Sequence, residues 1–223
     1  MSVNKKKIAQ YHQKQKDAEK AAQKDKNAKL AAKISIAVAI CAALAVVVVG
    51  VILGIRNSKV YYADITIENY GTITVELDRS AAPITVDNFI SLAESGFYDG
   101  LTFHRIMEGF MMQGGDPEAD GTGGSDQTIK GEFKENGWDN PISHTRGTIS
   151  MARSNPYDSA SSQFFIMHED YTGLDGKYAA FGRVISGIEI VDAICTEAKP
   201  SDDNGSIPRK MQPVIESIVI REG

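Results

Sequence analysis

From residue 61 onward the chain alternates. Tyr62 to Glu68 and Thr72 to Glu76 place apolar side chains at every second position on either side of Asn69-Tyr70-Gly71, which predicts a β-hairpin turning at those three residues. The same period of two predicts strands over Thr102 to Ile106, Phe110 to Gly114, Thr148 to Ala152, Gln163 to His168, Ala179 to Val184 and Ile215 to Arg221. Two stretches break the alternation. Val86, Phe89, Ile90 and Ala93 recur at helical spacing, with Thr85 expected as N-cap, Ile84 and Phe89 as a hydrophobic staple and Gly96 as the stop. A shorter helix is expected over Ile188 to Cys195. About eight short strands and two helices predict a mainly β domain, a closed antiparallel barrel or a sandwich, because both dispose of exposed sheet edges. The last strand, IESIVIRE, is placed to pair with the first and close the sheet.

Upstream of residue 61 the pattern is of another kind. Ile34 to Ile55 contains no charged residue. About 20 apolar residues at 1.5 Å rise cross a hydrocarbon core, so this run predicts a transmembrane helix. It exceeds the 7–15 residues of a signal-peptide core, no A-x-A-like cleavage site follows before Tyr61, and Ile40 rather than a small residue precedes Cys41. The expectation is therefore an uncleaved signal anchor. Residues 1–33 hold ten Lys against three acidic residues, a net of +7 in a chain whose formal charge is −5. Lysines on the amino side of the span place the N-terminus in the cytoplasm and everything after residue 58 outside, as in a single-pass protein of a bacterial plasma membrane. The basic tail has a topological explanation and also suits anionic headgroups. The expected organisation is a tail over 1–33, the anchor over 34–55, a linker over 56–60 and one domain over 61–223.

Composition narrows the function classes. With 42% hydrophobic and 24% charged residues in 223, wholesale disorder is excluded. Two cysteines make neither a disulfide scaffold nor a structural zinc site, and an acidic domain is no generic nucleic-acid binder. No nucleophile and base stand at recognisable spacing, which argues against a protease. Gly114 to Gly124 is glycine-rich but lacks the Lys-Ser/Thr of a P-loop.

The candidate chemistry concentrates in FHRIMEGFMMQGGD, Phe103 to Asp116. With a turn at Met107, Glu108 and Gly109 and Arg105 opposite Met111, the residues Phe103, Arg105, Met111 and Gln113 would share one face. Gln163 and Phe165 share a face by the same period. A cation and two amides among apolar side chains are what a small ligand site requires. His104 and His144 read as structural, Asp116 and Asp175 as turn residues bonding local backbone, and Cys195 as buried.

The FHRIMEGFMMQGGD block, Gly121-Thr122-Gly123-Gly124, Ser150-Met151-Ala152, Ser162-Gln163-Phe164-Phe165, Leu174-Asp175-Gly176 and Phe181-Gly182 together resemble the cyclophilin family of peptidyl-prolyl isomerases. Ala82-Pro83-Ile84-Thr85 and Asn88-Phe89 match as well, and the likeness spans residues 61–221 in order. It implies a closed eight-stranded antiparallel barrel capped by two helices, acting on Xaa-Pro bonds of folding proteins without cofactor or metal. The catalytic residue it implies is Arg105, a hydrogen-bond donor to the prolyl nitrogen. Gln113 would hold the substrate backbone and orient Arg105, and Gln163 would contact the carbonyl side. Phe110, Met111, Phe165 and Leu174 would receive the proline ring, which in the simple hairpin register requires a bulge or twist near Gly109 to turn Phe110 inward. Ala152, Arg153 and Tyr178 complete the expected substrate-binding set.

Four positions depart from the family's pattern. Glu108 stands for Pro in the turn, Arg153 for Asn, Tyr178 for His, and Gly173 for the Trp of drug-sensitive members, which implies weak cyclosporin binding. A rival reading on the same fold is a low-turnover module that holds proline-containing segments.

Overall fold

The computed structural model describes residues 59–223 continuously, together with isolated helical positions between residues 14 and 50. Two compact units divide the chain, Met1–Arg56 and Asn57–Gly223. Most of the basic tail and of the expected span over Ile34 to Ile55 lies outside the described residues; among the described residues no helix is long and apolar enough to cross a membrane.

In the second unit eight strands run in order as β1 (Tyr61–Ile67), β2 (Gly71–Leu77), β3 (Thr102–Met107), β4 (Met111–Asp116), β5 (Thr148–Met151), β6 (Phe164–Met167), β7 (Ala180–Ser186) and β8 (Ile215–Glu222). Helix α1 (Pro83–Glu94) follows β2, and α2 (Ile188–Glu197) follows β7. The strands form one sheet in the order β3-β4-β6-β5-β7-β2-β1-β8 with antiparallel pairings throughout. The last strand does pair with the first, from Tyr61 opposite Glu222 to Ile67 opposite Ile215. Closure is less complete than expected. The end strands β3 and β8 share no ladder; they meet through a bridge between Thr102 and Val214 and through Phe103 N–H donating to Pro213 O at 2.9 Å. The sheet is a barrel with one seam stitched rather than zipped.

Alternation explains which faces go inside. Ala63, Ile65 and Ile67 of β1, Ile73, Val75 and Leu77 of β2, and Phe164 and Ile166 of β6 are buried in one cluster. An aromatic lattice fills its centre. The ring of Phe89 on α1 lies 5.4 Å from Phe164 edge-on and 5.2 Å from Phe181, while Phe103 lies 5.9 Å from Phe164. Tyr98 joins them, and its wholly buried hydroxyl donates to Ser162 O at 3.0 Å. Burial holds that phenol well above its ordinary pKa, so it remains a donor.

Helix α1 corrects the expected start. Its N-cap is Ala82, with Pro83 in the first turn, so Thr85 lies inside the helix. The capping acceptor comes from far along the chain: buried Glu132 accepts N–H bonds from Ile84 at 3.0 Å and Thr85 at 2.8 Å. A carboxylate there also meets the positive end of the helix dipole. The expected staple between Ile84 and Phe89 does not form, since Ile84 faces solvent and Phe89 enters the core. The stop at Gly96 is as expected. Its positive φ allows Gly96 N–H to reach Ala93 O and Phe97 N–H to reach Leu92 O, both at 3.0 Å, a Schellman ending.

Candidate active site

Strand β4 enters its hairpin one step later than the sequence register suggests. Met107 pairs with Met111 and Arg105 with Gln113, so the turn is Glu108-Gly109-Phe110. Gly109, at φ 77°, provides the left-handed residue that lets Phe110 N–H return to Met107 O at 3.0 Å. A register shift around His104 then separates Phe103 from Arg105: Phe103 turns into the core while Arg105 stays on the outer face. Phe103 is therefore no member of the Arg105 face. Phe110 reaches that face from the turn, and no bulge inside β4 is needed.

Across the sheet Gln113 pairs with Phe165 and Met111 with Met167. The outer face of β4 and β6 carries a second apolar cluster of Met111, Phe165 and Met167, packed with Phe110, Ala152, Leu174 and Tyr178. A pocket of about 150 Å³ opens in it. Of the ten residues expected in the site, nine line this pocket: Arg105, Phe110, Met111 and Gln113 from the hairpin, Ala152 and Arg153 from the segment that leaves β5, Phe165 from β6, and Leu174 and Tyr178 from the loop that follows β6. Gln163 lines an adjoining polar recess of about 120 Å³, and Gln113 borders both spaces.

The polar groups are chained together. Arg105 Nη1 donates to Gln113 Oε1 at 3.3 Å, and Gln113 Nε2 donates to Gln163 Oε1 at 2.8 Å. Gln163 Nε2 ends the chain on the carbonyls of Gly123 at 2.7 Å and Gly121 at 3.1 Å. From the other side, Arg105 Nε donates to Asn204 O at 2.7 Å. Among the described residues no carboxylate pairs with Arg105. Burial pulls its guanidinium below the ordinary value, with Tyr178 and Asp202 opposing. An Arg held by neutral acceptors keeps its charge available to a ligand, whereas a paired carboxylate would spend it.

Arg153 is placed differently. Its Nε donates to Lys177 O at 3.0 Å and Nη1 to Ser154 O at 2.9 Å, and its guanidinium lies 5.1, 5.0 and 4.8 Å from the rings of Phe133, Tyr157 and Tyr178. The side chain is committed to holding the pocket wall. Tyr178 in turn meets Phe165 edge-on at 5.9 Å. Beneath Phe165, His144 stacks at 6.0 Å. Its Nδ1–H donates to Asp175 Oδ1 at 2.9 Å and its Nε2 accepts from Ser150 Oγ at 3.0 Å. Burial pulls this imidazole down despite Asp175, so the neutral ring is a support. His104 is buried too, with both ring nitrogens unpartnered, and burial lowers it likewise.

Sequence reasoning missed the carbonyls of Asn204, Gly121 and Gly123, which no side-chain motif announces. It also missed Tyr171, whose ring stands edge-on to Phe110 at 5.1 Å. A Cβ on Gly173 would lie 3.1 Å from that ring, so Tyr171 occupies the space beside the absent side chain. No group of three or more His, Cys, Asp or Glu suited to a metal exists among the described residues.

An eight-stranded antiparallel barrel with an outer-face pocket, an Arg held at its rim by neutral acceptors and a Gln relay defines a class, and the comparisons agree on it. The family model described as cyclophilin type peptidyl-prolyl cis-trans isomerase/CLD matches residues 62–220. Peptidyl-prolyl cis-trans isomerase B of Bacillus subtilis is 49% identical over 123 residues, 55% of this chain and 82% of that protein. A peptidyl-prolyl cis-trans isomerase of Helicobacter pylori is 44% identical over 139 residues, 61% of this chain and 82% of that protein. Among solved structures, a Cryptosporidium parvum cyclophilin type isomerase crystallised in the presence of the dipeptide Ala-Pro superposes with a TM-score of 0.63 at 31% identity, covering 73% of this chain and 99% of that one. The chain belongs to the cyclophilin family of peptidyl-prolyl cis-trans isomerases, and it is an isomerase enzyme.

Proposed function

We propose that this isomerase accelerates rotation about Xaa-Pro bonds through Arg105, acting on proteins that fold outside the membrane to which the chain is anchored. The peptide bond resists rotation by about 18–20 kcal/mol because resonance gives C–N partial double-bond character. At the twisted midpoint that resonance is lost, the prolyl nitrogen becomes pyramidal, and its lone pair can accept a hydrogen bond. A donor aimed there stabilises the twisted amide more than the planar one, which is the condition for catalysis. No proton is transferred and no bond is broken.

The observation that carries this reading is Arg105 at the rim of an apolar pocket, bound only by neutral acceptors. The proline ring would lie against Phe110, Met111, Phe165 and Leu174 with Tyr178 as a side wall. Gln113 would hold the substrate backbone while steering Arg105, and Gln163 would meet the carbonyl side. Ala152 would offer backbone contact and Arg153 would fix the wall. Cis/trans exchange on an Xaa-Pro peptide, followed by NMR with the full chain in detergent micelles, tests this. Rapid exchange that collapses in Arg105→Ala is the expected result; peptide binding without accelerated exchange would mark a binding module.

The proposed setting rests on Ile34 to Ile55 as a single-pass anchor in a plasma membrane, with the basic tail inside and the isomerase domain outside. Resistance to alkaline extraction, together with protease digestion of the domain on intact spheroplasts, is expected; a domain protected in intact spheroplasts overturns it. Weak cyclosporin binding belongs to the same proposal, because Gly173 offers no indole and Tyr171 fills the neighbouring space. Nanomolar affinity in a titration would overturn it.

A further inference from the structure

The turn that carries Phe110 is held from outside its own hairpin. Gly109 N–H donates to Nδ1 of His168 at 2.8 Å, and the backbone N–H of His168 donates to Phe110 O at 2.9 Å. His168 directly follows β6, and its imidazole is almost wholly buried. A backbone N–H can only donate, so Nδ1 is the bare nitrogen. Nε2 then carries the proton and faces Asp192 Oδ1 of α2 at 3.5 Å. Within the hairpin, the bond from Phe110 N–H to Met107 O closes the turn, whose Glu108 and Gly109 stand in solvent.

We infer that His168 is a positioning residue of this isomerase, whose unprotonated Nδ1 holds the Gly109-Phe110 turn against the proline pocket, and that protonating the imidazole releases it. The inference rests on the reading above that Phe110 receives the proline ring. Once Nδ1 carries a proton, two N–H donors face each other across the same short distance, and the bond to Gly109 is lost. The protonated ring is drawn instead toward Asp192.

Charges on every neighbouring element bear on this switch. Asp192 on α2 is shared with Arg146, whose Nη2 donates to Asp192 Oδ2 at 2.6 Å. Asp170 accepts from Arg146 N–H at 2.7 Å, Glu169 follows His168 in the chain, and Glu108 lies in the turn itself. Burial beside Asp192 and Glu108 pushes the Cys195 thiol up to about 12, so it stays neutral and takes no part.

Two substitutions separate the roles. Asn at 168 offers an acceptor oxygen near the place of Nδ1 and does not titrate, whereas Ala offers none. We would measure kcat and KM of the full chain in detergent micelles on an uncharged Xaa-Pro peptide at about pH 7.5 and about pH 5.5, which bracket the usual charge change of histidine. The wild type is expected to lose about fivefold in kcat/KM on acidification, mainly through KM, the scale of one lost hydrogen bond. His168→Asn should be near wild type at the higher pH and flat across the interval. His168→Ala should be impaired already at the higher pH by a similar factor. In [15N]glycine-labelled protein the Gly109 amide resonance should move with pH in the wild type and stay fixed in His168→Asn. A decline in His168→Asn parallel to the wild type, or an unaltered KM in His168→Ala, overturns the inference. Should the wild type be inactive at both pH values, the isomerase reading fails, and the Gly109 resonance alone decides whether His168 holds the turn.

Discussion

The two faces of β4 and β6 carry two apolar clusters built from neighbouring residues of the same strands. Phe164 and Ile166 point into the barrel, where the rings of Phe89, Tyr98, Phe103 and Phe181 enclose them with Tyr98's hydroxyl satisfied by Ser162. Phe165 and Met167 point outward with Met111, where the cluster is left open as a pocket edged by Arg105 and Gln113. Similar side chains perform opposite tasks. The inner face is packed ring against ring and gains stability from contact, while the outer face keeps a small vacancy and a polar rim, so its binding energy is left for a ligand.

That contrast can be broken by substitution. Phe164→Ala should cost about 3–5 kcal/mol in urea unfolding, because a fully buried ring leaves a cavity. The adjacent Phe165→Ala removes a nearly buried ring that also walls the open pocket, so it should cost less stability than Phe164→Ala and raise KM as well; an equal loss of stability with an unaltered KM would refute the division. Next in size, Arg105→Ala should lower kcat/KM by about 10²–10³-fold with little change in the urea midpoint, as for loss of one transition-state donor. Arg105→Lys should be almost as poor, since Lys lacks the planar fork that reaches both Gln113 and Asn204. Gln163→Ala removes the end of the relay and should cost about tenfold in kcat/KM.

A smaller effect is expected from pH on stability. Burial lowers the folded-state pKa of both His104 and His144 from 6.5, so the unfolded chain binds more protons just below that value. The stability they contribute is complete above about pH 6.5 and is lost as the pH falls through the depressed values, at up to about 1.4 kcal/mol per histidine per pH unit. Urea midpoints at about pH 7.5 and about pH 5.5 check the sign; a rise on acidification would contradict it. Smallest of all, Arg153→Ala should raise KM by about two- to fivefold through a loosened Tyr178, at an unchanged kcat.

Much of this arrangement is legible in the residues themselves. The period of two in QFF put Gln163 and Phe165 on one face, as the structure has them, and the apolar helical spacing located α1 and its end at Gly96. Alternation alone puts the hairpin register one step off, because whether Phe110 belongs to strand or turn depends on the hydrogen bonds that Gly109 and Phe110 make, and those partners include His168 from β6's end. Thr85 looked like an N-cap because a local hydroxyl usually serves; Glu132, 47 residues away, took the position instead.

Local periodicity fixes the alternating strands and the two helices, and the likeness of motifs read in chain order supplies the family and nearly every side chain of the pocket. How Arg105 is held, where the barrel seam lies and what fills the place beside Gly173 emerge with the folded chain. Those depend on backbone carbonyls and rings brought in from distant segments, with Asn204 meeting Arg105 across 99 residues. A carbonyl is the same group on every residue, so no residue type marks which one will become a partner; only the folded path of the chain selects it.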